Sequence, residues 1–237
     1  MGFFDFLFGG SQESQLKRHA KRVTNLNTQV DDREASAQWL ADEGSPQAIF
    51  AMLKRFGLNY EHRMKDTKEK ERIFLLLERL GPKAVQPSKD WMRKNVQFAY
   101  PLRLITQVEG QEKTILFLLE LLALENDDFS PQKKLQILSH LQRHTHEKIG
   151  PAVIPLLADF NEDVRFATIE VMAIQQDPQT REPLLEQMTK EASNRLRHRI
   201  ATVFTDAEWN VSPHEDKIRE YIPVGFLLEG DQFVLDE

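Results

Sequence analysis

Apolar residues fall at helical spacing in paired stripes, each pair joined by a short turn marked by Pro or Gly, and the pairs return about every 31 residues along the chain. The segments Pro101-Leu102-Arg103-Leu104-Ile105, Lys133-Lys134-Leu135-Gln136-Ile137, Asp163-Val164-Arg165-Phe166-Ala167 and Arg195-Leu196-Arg197-His198-Arg199 align on this period. Leu102, Leu135, Val164 and Leu196 then open the first helix of successive units. A lone helix pair cannot bury its apolar face, so neighbouring pairs must stack, and a stack of this kind offers an extended surface suited to binding. The pattern predicts an all-α fold of about six helix pairs.

The pairs are read as 31–43 with 46–56, 66–80 with 82–95, 97–108 with 111–124, 131–143 with 146–158, and 162–175 with 179–190, and a sixth begins near 193. In the first pair Ala35, Trp39 and Leu40 are expected to face Ile49, Met52, Leu53 and Phe56. Ser45-Pro46, Ser130-Pro131 and Ser212-Pro213 each place a capping hydroxyl before a proline suited to the first helical position, and Glu215 is spaced to complete a capping box with Ser212. Gly44, Gly57, Gly81, Gly110 and Gly150 follow apolar stretches, where a left-handed residue stops a helix. Residues 58–67 form a connection longer than is usual between packed helices. At the other end, Phe226–Glu229 and Gln232–Leu235 flank Gly230-Asp231, a pair suited to a two-residue hairpin turn, and the hairpin is expected to dock on the last helices because it is marginal alone. The organisation is thus an apolar segment 1–10, a capping helix within 11–30, a repeat array over 31–220 and a tail over 221–237.

The stretch Asn161-Glu162-Asp163-Val164-Arg165-Phe166-Ala167-Thr168-Ile169-Glu170-Val171-Met172 resembles the first helix of a HEAT repeat, through its Asp-Val-Arg core and the apolar spacing after it. Residues 33–49, from Arg33 to Ile49, resemble a HEAT pair with its polar turn. Two units match well and the others share only period and pattern, so the resemblance extends over about residues 31–205. It implies a right-handed α-solenoid and scaffolding or adaptor work on a protein partner. Some HEAT-like proteins are DNA glycosylases, so a nucleic-acid enzyme is the alternative that the resemblance carries. Fold likeness alone names no ligand.

Composition narrows the chemistry. Hydrophobic residues at 41% supply a core and charged residues at 29% coat a helical exterior. Cysteine is absent, which removes disulfides, thiolate metal sites and thiol nucleophiles, and suits a reducing, cytoplasmic setting. The formal charge of −6 is uneven, at +4 over residues 1–100 and −10 over 101–237. The one dense basic cluster is Lys17, Arg18, Lys21 and Arg22, which argues against a duplex-binding face. Phosphate loops, dinucleotide fingerprints, zinc-protease motifs and nucleophile elbows are all missing from the sequence. His140 and His144 share a helical face near an expected helix end, where a cationic histidine suits the dipole, a reading preferred to a metal site, and Glu125-Asn126-Asp127-Asp128 is read as a turn. No catalytic residue, cofactor or metal is expected. Periodicity instead marks Lys54, Arg55, Arg93, Lys94, Glu120, Lys148, Arg181 and Glu186 as partner-facing positions on the second helices. At the amino terminus Phe3, Phe4, Phe6, Leu7 and Phe8 precede Gly9-Gly10, expected as a flexible joint, and the basic helix. They serve as a cap for the stack or as a peripheral membrane anchor.

Overall fold

A computed structural model describes residues 3–59, 61–125 and 130–236, with the backbone alone for residues 3–11. The described residues form thirteen α-helices, four short 3-10 turns and one two-stranded antiparallel sheet. They divide into two compact units, Met1–Leu116 and Phe117–Glu237.

In the amino-terminal unit α1 (Phe3–Thr24) packs on α2 (Val30–Glu43) and α3 (Pro46–Leu53). α1 runs without a break through Gly9 and Gly10, so the expected joint there is helical backbone. α2 closes at Gly44, whose φ of 65° is the left-handed conformation that the stop requires. α3 begins as the sequence dictates: the Ser45 hydroxyl accepts from the Ala48 N–H at 3.2 Å, and Pro46 occupies the first turn. A 3-10 turn over Lys54–Gly57 follows. α4 (Arg63–Leu80), α5 (Pro82–Lys94) and α6 (Ala99–Glu109) complete this unit with the start of α7 (Gln111–Ala123). The expected long connection shrinks, because residues 63–67 form the first turn of α4. The buried face of α2 is Arg33, Ser36, Ala37, Leu40 and Ala41, whereas Ala35 is exposed, one position off the stripe that was read. First helix packs on first helix, α2 on α4 and α4 on α6, and second packs on second, α3 on α5.

The carboxy-terminal unit repeats the plan with α8 (Gln132–Leu141), α9 (Ile149–Val153), α10 (Glu162–Gln175), α11 (Arg181–Lys190) and α12 (Asn194–Asp206). α8 packs on α10 and α10 on α12. Three details depart from the sequence reading. α8 begins after Pro131, and the Ser130 hydroxyl is turned to the Gln132 side chain, so it caps nothing. His214, not Ser212, stands at the N-cap position of α13 (Glu215–Ile218) and makes no side-chain cap bond there, although the expected hydrogen bond between the Ser212 and Glu215 side chains does form. Gly150 lies inside α9 instead of ending a helix; a Cβ there would stand 2.8 Å from an Asp177 carboxylate oxygen, so the glycine permits close approach. β1 (Phe226–Glu229) pairs with β2 (Gln232–Leu235) in the register Phe226 to Leu235 through Glu229 to Gln232. As expected, the hairpin docks on α12: Phe233 meets Phe204 edge-on at 5.9 Å, and the Val211 N–H donates to the Asp231 carbonyl at 2.7 Å.

Charged side chains inside these units carry a second periodicity, in hydrogen bonds rather than in apolar residues. Asp159 and Glu191, 32 residues apart, each end a second helix and do the same work. Asp159 accepts from buried Lys134 at 2.8 Å and from the Asn161 N–H at 2.8 Å; Glu191 accepts from Arg165 at 2.8 Å and from the Ser193 N–H at 3.0 Å. Their carbonyls recur too, that of Asp159 taking Arg165 and that of Glu191 taking Arg197. Leu135, aligned by sequence with the buried Val164 and Leu196, is only half-buried, and Lys134 takes the interior place because Asp159 neutralises it there. First helices are also laced to one another. Arg103 pairs with Glu71 at 2.9 Å and lies 4.0 Å over the Phe74 ring, and Arg195 pairs with Asp163 at 3.2 Å and lies 4.3 Å over Phe166. In both cases the acid precedes the phenylalanine by three residues and the arginine by 32.

Candidate partner-binding cleft

A cleft of ≈ 710 Å³ opens between α3 and α5, both second helices. Pro46, Gln47, Phe50 and Lys54 line it from the α3 side, and Pro87, Asp90, Arg93 and Lys94 from α5. Pro46, Phe50 and Lys54 lie four apart, and Pro87, Asp90 and Arg93 three apart, so each helix turns one face to the cleft. On α3 the buried face is Ala48, Ile49, Met52 and Leu53, which leaves Phe50 half-buried with its ring edge-on to Trp91 at 5.5 Å. The Lys54 ammonium stands 5.8 Å from the centre of the Phe50 ring. Trp91 itself is buried, and its indole N–H donates to the Gln97 carbonyl at 3.1 Å. Asp90 accepts from Arg93 at 2.9 Å and from Gln86 at 3.0 Å. The cleft therefore combines an apolar floor with three cations and one carboxylate.

Of the positions that periodicity marked, Lys54, Arg93 and Lys94 come together here. Arg55 does not: it is fully buried, and it is a structural cation rather than a partner contact. Its Nε donates to Glu69 at 3.0 Å and its terminal nitrogen to Asp66 at 2.6 Å, while Arg33 holds the same Glu69 through bonds of 2.9 and 2.8 Å. Lys70 closes the cluster on Asp66 at 2.7 Å, and backbone carbonyls of Leu26, Thr28 and Leu58 take the remaining guanidinium donors. Burial pushes the Asp66 and Glu69 carboxyls up, but the bonds from Lys70 and Arg55 to the one, and from Arg33 and Arg55 to the other, prevail and hold both below the ordinary range. The 3-10 turn after α3 aims Arg55 inward, and a pure α-helical projection misses that change of direction.

Arg181 is likewise committed to structure, donating to the Asn210 carbonyl at 2.9 Å and the Asn210 side chain at 2.7 Å. Glu186 is exposed, paired with Lys190, and borders a ≈ 400 Å³ cleft between α11 and α13 with Glu182, His214 and Lys217. Glu120 and Lys148 are exposed and line neither cleft. The side chains of Phe3, Phe4, Phe6, Leu7 and Phe8 lie outside the described residues, as do Asn126, Asp127 and Asp128. Lys17, Arg18, Lys21 and Arg22 form an exposed face of α1.

Sequence reasoning missed Pro46, Gln47, Phe50, Pro87 and Asp90. The signal was present: Phe50 is a large aromatic residue standing off the buried stripe, four residues from Pro46 and four from Lys54. His140 and His144 touch, with ring centres 4.9 Å apart, and burial, then His144 and Arg143, lower the His140 pKa to about 4. Among the described residues no three His, Cys, Asp or Glu side chains gather as a metal site, and no helix is long and apolar enough to cross a membrane. Comparisons with family models, curated proteins and solved structures give no match to this chain.

Proposed function

We propose that this chain is a HEAT-like, right-handed α-solenoid that binds a protein partner along its second helices, as a non-enzymatic scaffold of the cytoplasm. The recurrence of Asp159 with Glu191 after 32 residues and of Lys134 with Arg165 after 31, and the matched Glu71–Phe74–Arg103 and Asp163–Phe166–Arg195 sets, support the repeat reading. Asp159 and Glu191 follow second helices, and the Glu71–Phe74–Arg103 and Asp163–Phe166–Arg195 sets each join one first helix to the next, as stacked pairs require.

The α3–α5 cleft is the observation that carries the binding role. First helices spend much of their polar surface on one another through Arg72–Glu34, Arg103–Glu71 and Arg195–Asp163. Second helices instead present an apolar floor with convergent polar groups, the composition of a recognition site. Trp39 stacks on His19, Trp91 is buried and Trp209 packs on Phe204, so each indole serves packing, which favours a protein partner over stacked bases.

Affinity capture from the native cell with the full chain, beside an Arg93→Glu/Lys94→Glu variant of unchanged melting temperature, tests the proposal. Partner recovery that falls at least about tenfold in the variant supports it, as expected for reversal of two charges at a contact. Equal recovery removes the cleft as the binding surface, and salt-sensitive recovery of nucleic acid in place of protein replaces the proposal with the enzyme reading.

A further inference from the structure

We infer that the α3–α5 cleft takes an acidic segment of the partner protein, with one large apolar side chain seated over Phe50 and Pro87 and two or more carboxylates directed to Lys54, Arg93 and Lys94. This deepens the binding role just proposed and rests on it. The cleft has a direction. A Cβ on Gly57, just beyond α3, would lie 3.5 Å from the Trp91 ring near the end of α5, so the two helices finish on the same side. Lys54 follows the last residue of α3, and Arg93 and Lys94 are the last two of α5. Three cations thus gather where two helix C-termini place their partial negative charge, which makes that end their stable location.

Asp90 offsets one of these cations and already accepts from both Arg93 and Gln86. Among the lining residues Lys54 and Lys94 add positive charge beyond the Arg93–Asp90 pair, in the first 100 residues, which carry +4. Electrostatic complementarity then selects carboxylates and rejects basic segments, because like charges brought together cost several kcal/mol. Charge alone does not fill the cleft. Exposed Pro46 and the half-buried Phe50 ring offer apolar surface beside the cations, with buried Pro87 behind them, and Lys54 over the ring joins the two halves of the site. An apolar residue flanked by acids within one helical turn satisfies both at once, whereas a nucleic-acid backbone supplies charge without the apolar anchor.

Short random peptides displayed and selected on the full chain test this, with affinities then measured by anisotropy of fluorescein-labelled winners against the wild type and Lys54→Glu/Lys94→Glu. Both lysines are exposed, so the fold is preserved. Winners are expected to carry a large apolar residue with at least two acids close by, to weaken about tenfold or more on the double reversal, and to lose binding when their acids become Gln. Neutral or basic winners that still respond to the double reversal overturn the acidic assignment and leave the cleft as the binding site. Winners indifferent to the reversal, or no winners at all, overturn both. Equal competition by a single-stranded oligonucleotide and by the acidic peptide overturns the apolar anchor.

Discussion

Replacing Glu69 with Gln tests the buried ion cluster most sharply. Glu69 is 6% exposed and accepts three charge-assisted bonds, two from Arg33 and one from Arg55, both of which are 2% exposed or less. The amide keeps one acceptor oxygen and turns its NH₂ toward guanidinium donors, so buried Arg33 loses the Glu69 charge and buried Arg55 is left with Asp66, while both stay out of water. Breaking a buried pair from one side costs about 3–5 kcal/mol. With an m-value of about 2 kcal/mol per molar urea, the unfolding midpoint falls by about 1.5–2.5 M. A Trp209→Phe background leaves Trp39 and Trp91 as the fluorescent reporters, both in the amino-terminal unit that holds the cluster. The control is Arg72→Ala, which removes a pair whose arginine side chain is 55% exposed, and it shifts the midpoint by no more than about 0.3 M. A Glu69→Gln midpoint within the range of that control refutes the reasoning.

Four further outcomes are expected. Because the folded Asp66, Glu69 and Glu191 carboxyls titrate below their unfolded values near about 4, their stabilisation is complete above that pH and is lost as pH falls through the folded values; acid melts should show it, and Glu69→Gln should flatten the loss. His140, lowered to about 4 by burial, then by His144 and Arg143, is neutral when folded above that pH, so stability declines as pH falls from about 6.5 toward 4; His140→Gln should remove that slope from urea midpoints read at Trp209. Gly150→Ala should destabilise the carboxy-terminal unit by about 1–3 kcal/mol in calorimetry or urea melts, although alanine is ordinarily the better helix former, because its Cβ meets Asp177. Phe233→Ala removes a buried ring that packs on Phe204 and Phe226, at a cost of about 3–5 kcal/mol, and hairpin undocking should appear as faster exchange of the Val211 amide.

Helix pairs and the hairpin were legible because their signals are local. Ser45-Pro46 caps α3, Gly44 stops α2, and Gly230-Asp231 turns the hairpin, each through bonds spanning a few residues. Ser130 carries the same local signal but turns to the Gln132 side chain, and Ser212 keeps its bond to Glu215 while His214 takes the N-cap position of α13. The ion cluster spans 36 residues from Arg33 to Glu69, a separation that no local pattern weighs. One trace of it exists in the sequence. Asp66, Glu69 and Lys70 continue the apolar stripe of Ile73 and Leu77 backward at helical spacing, and charges on a core stripe demand buried counter-charges. Arg55 departs from its expected place because a 3-10 turn replaces the last turn of α3, and half of the cleft escapes the pattern because Pro46 reads as helix punctuation while Phe50 and Pro87 carry no charge or motif that marks them.

A photo-crosslinking residue placed at Gln47, on the cleft, and separately at Arg72, on the first-helix face, tests most directly whether second helices hold the partner. Adducts with one protein from Gln47 and none from Arg72 are the outcome this account requires. The same adduct from Arg72 with none from Gln47 would contradict it.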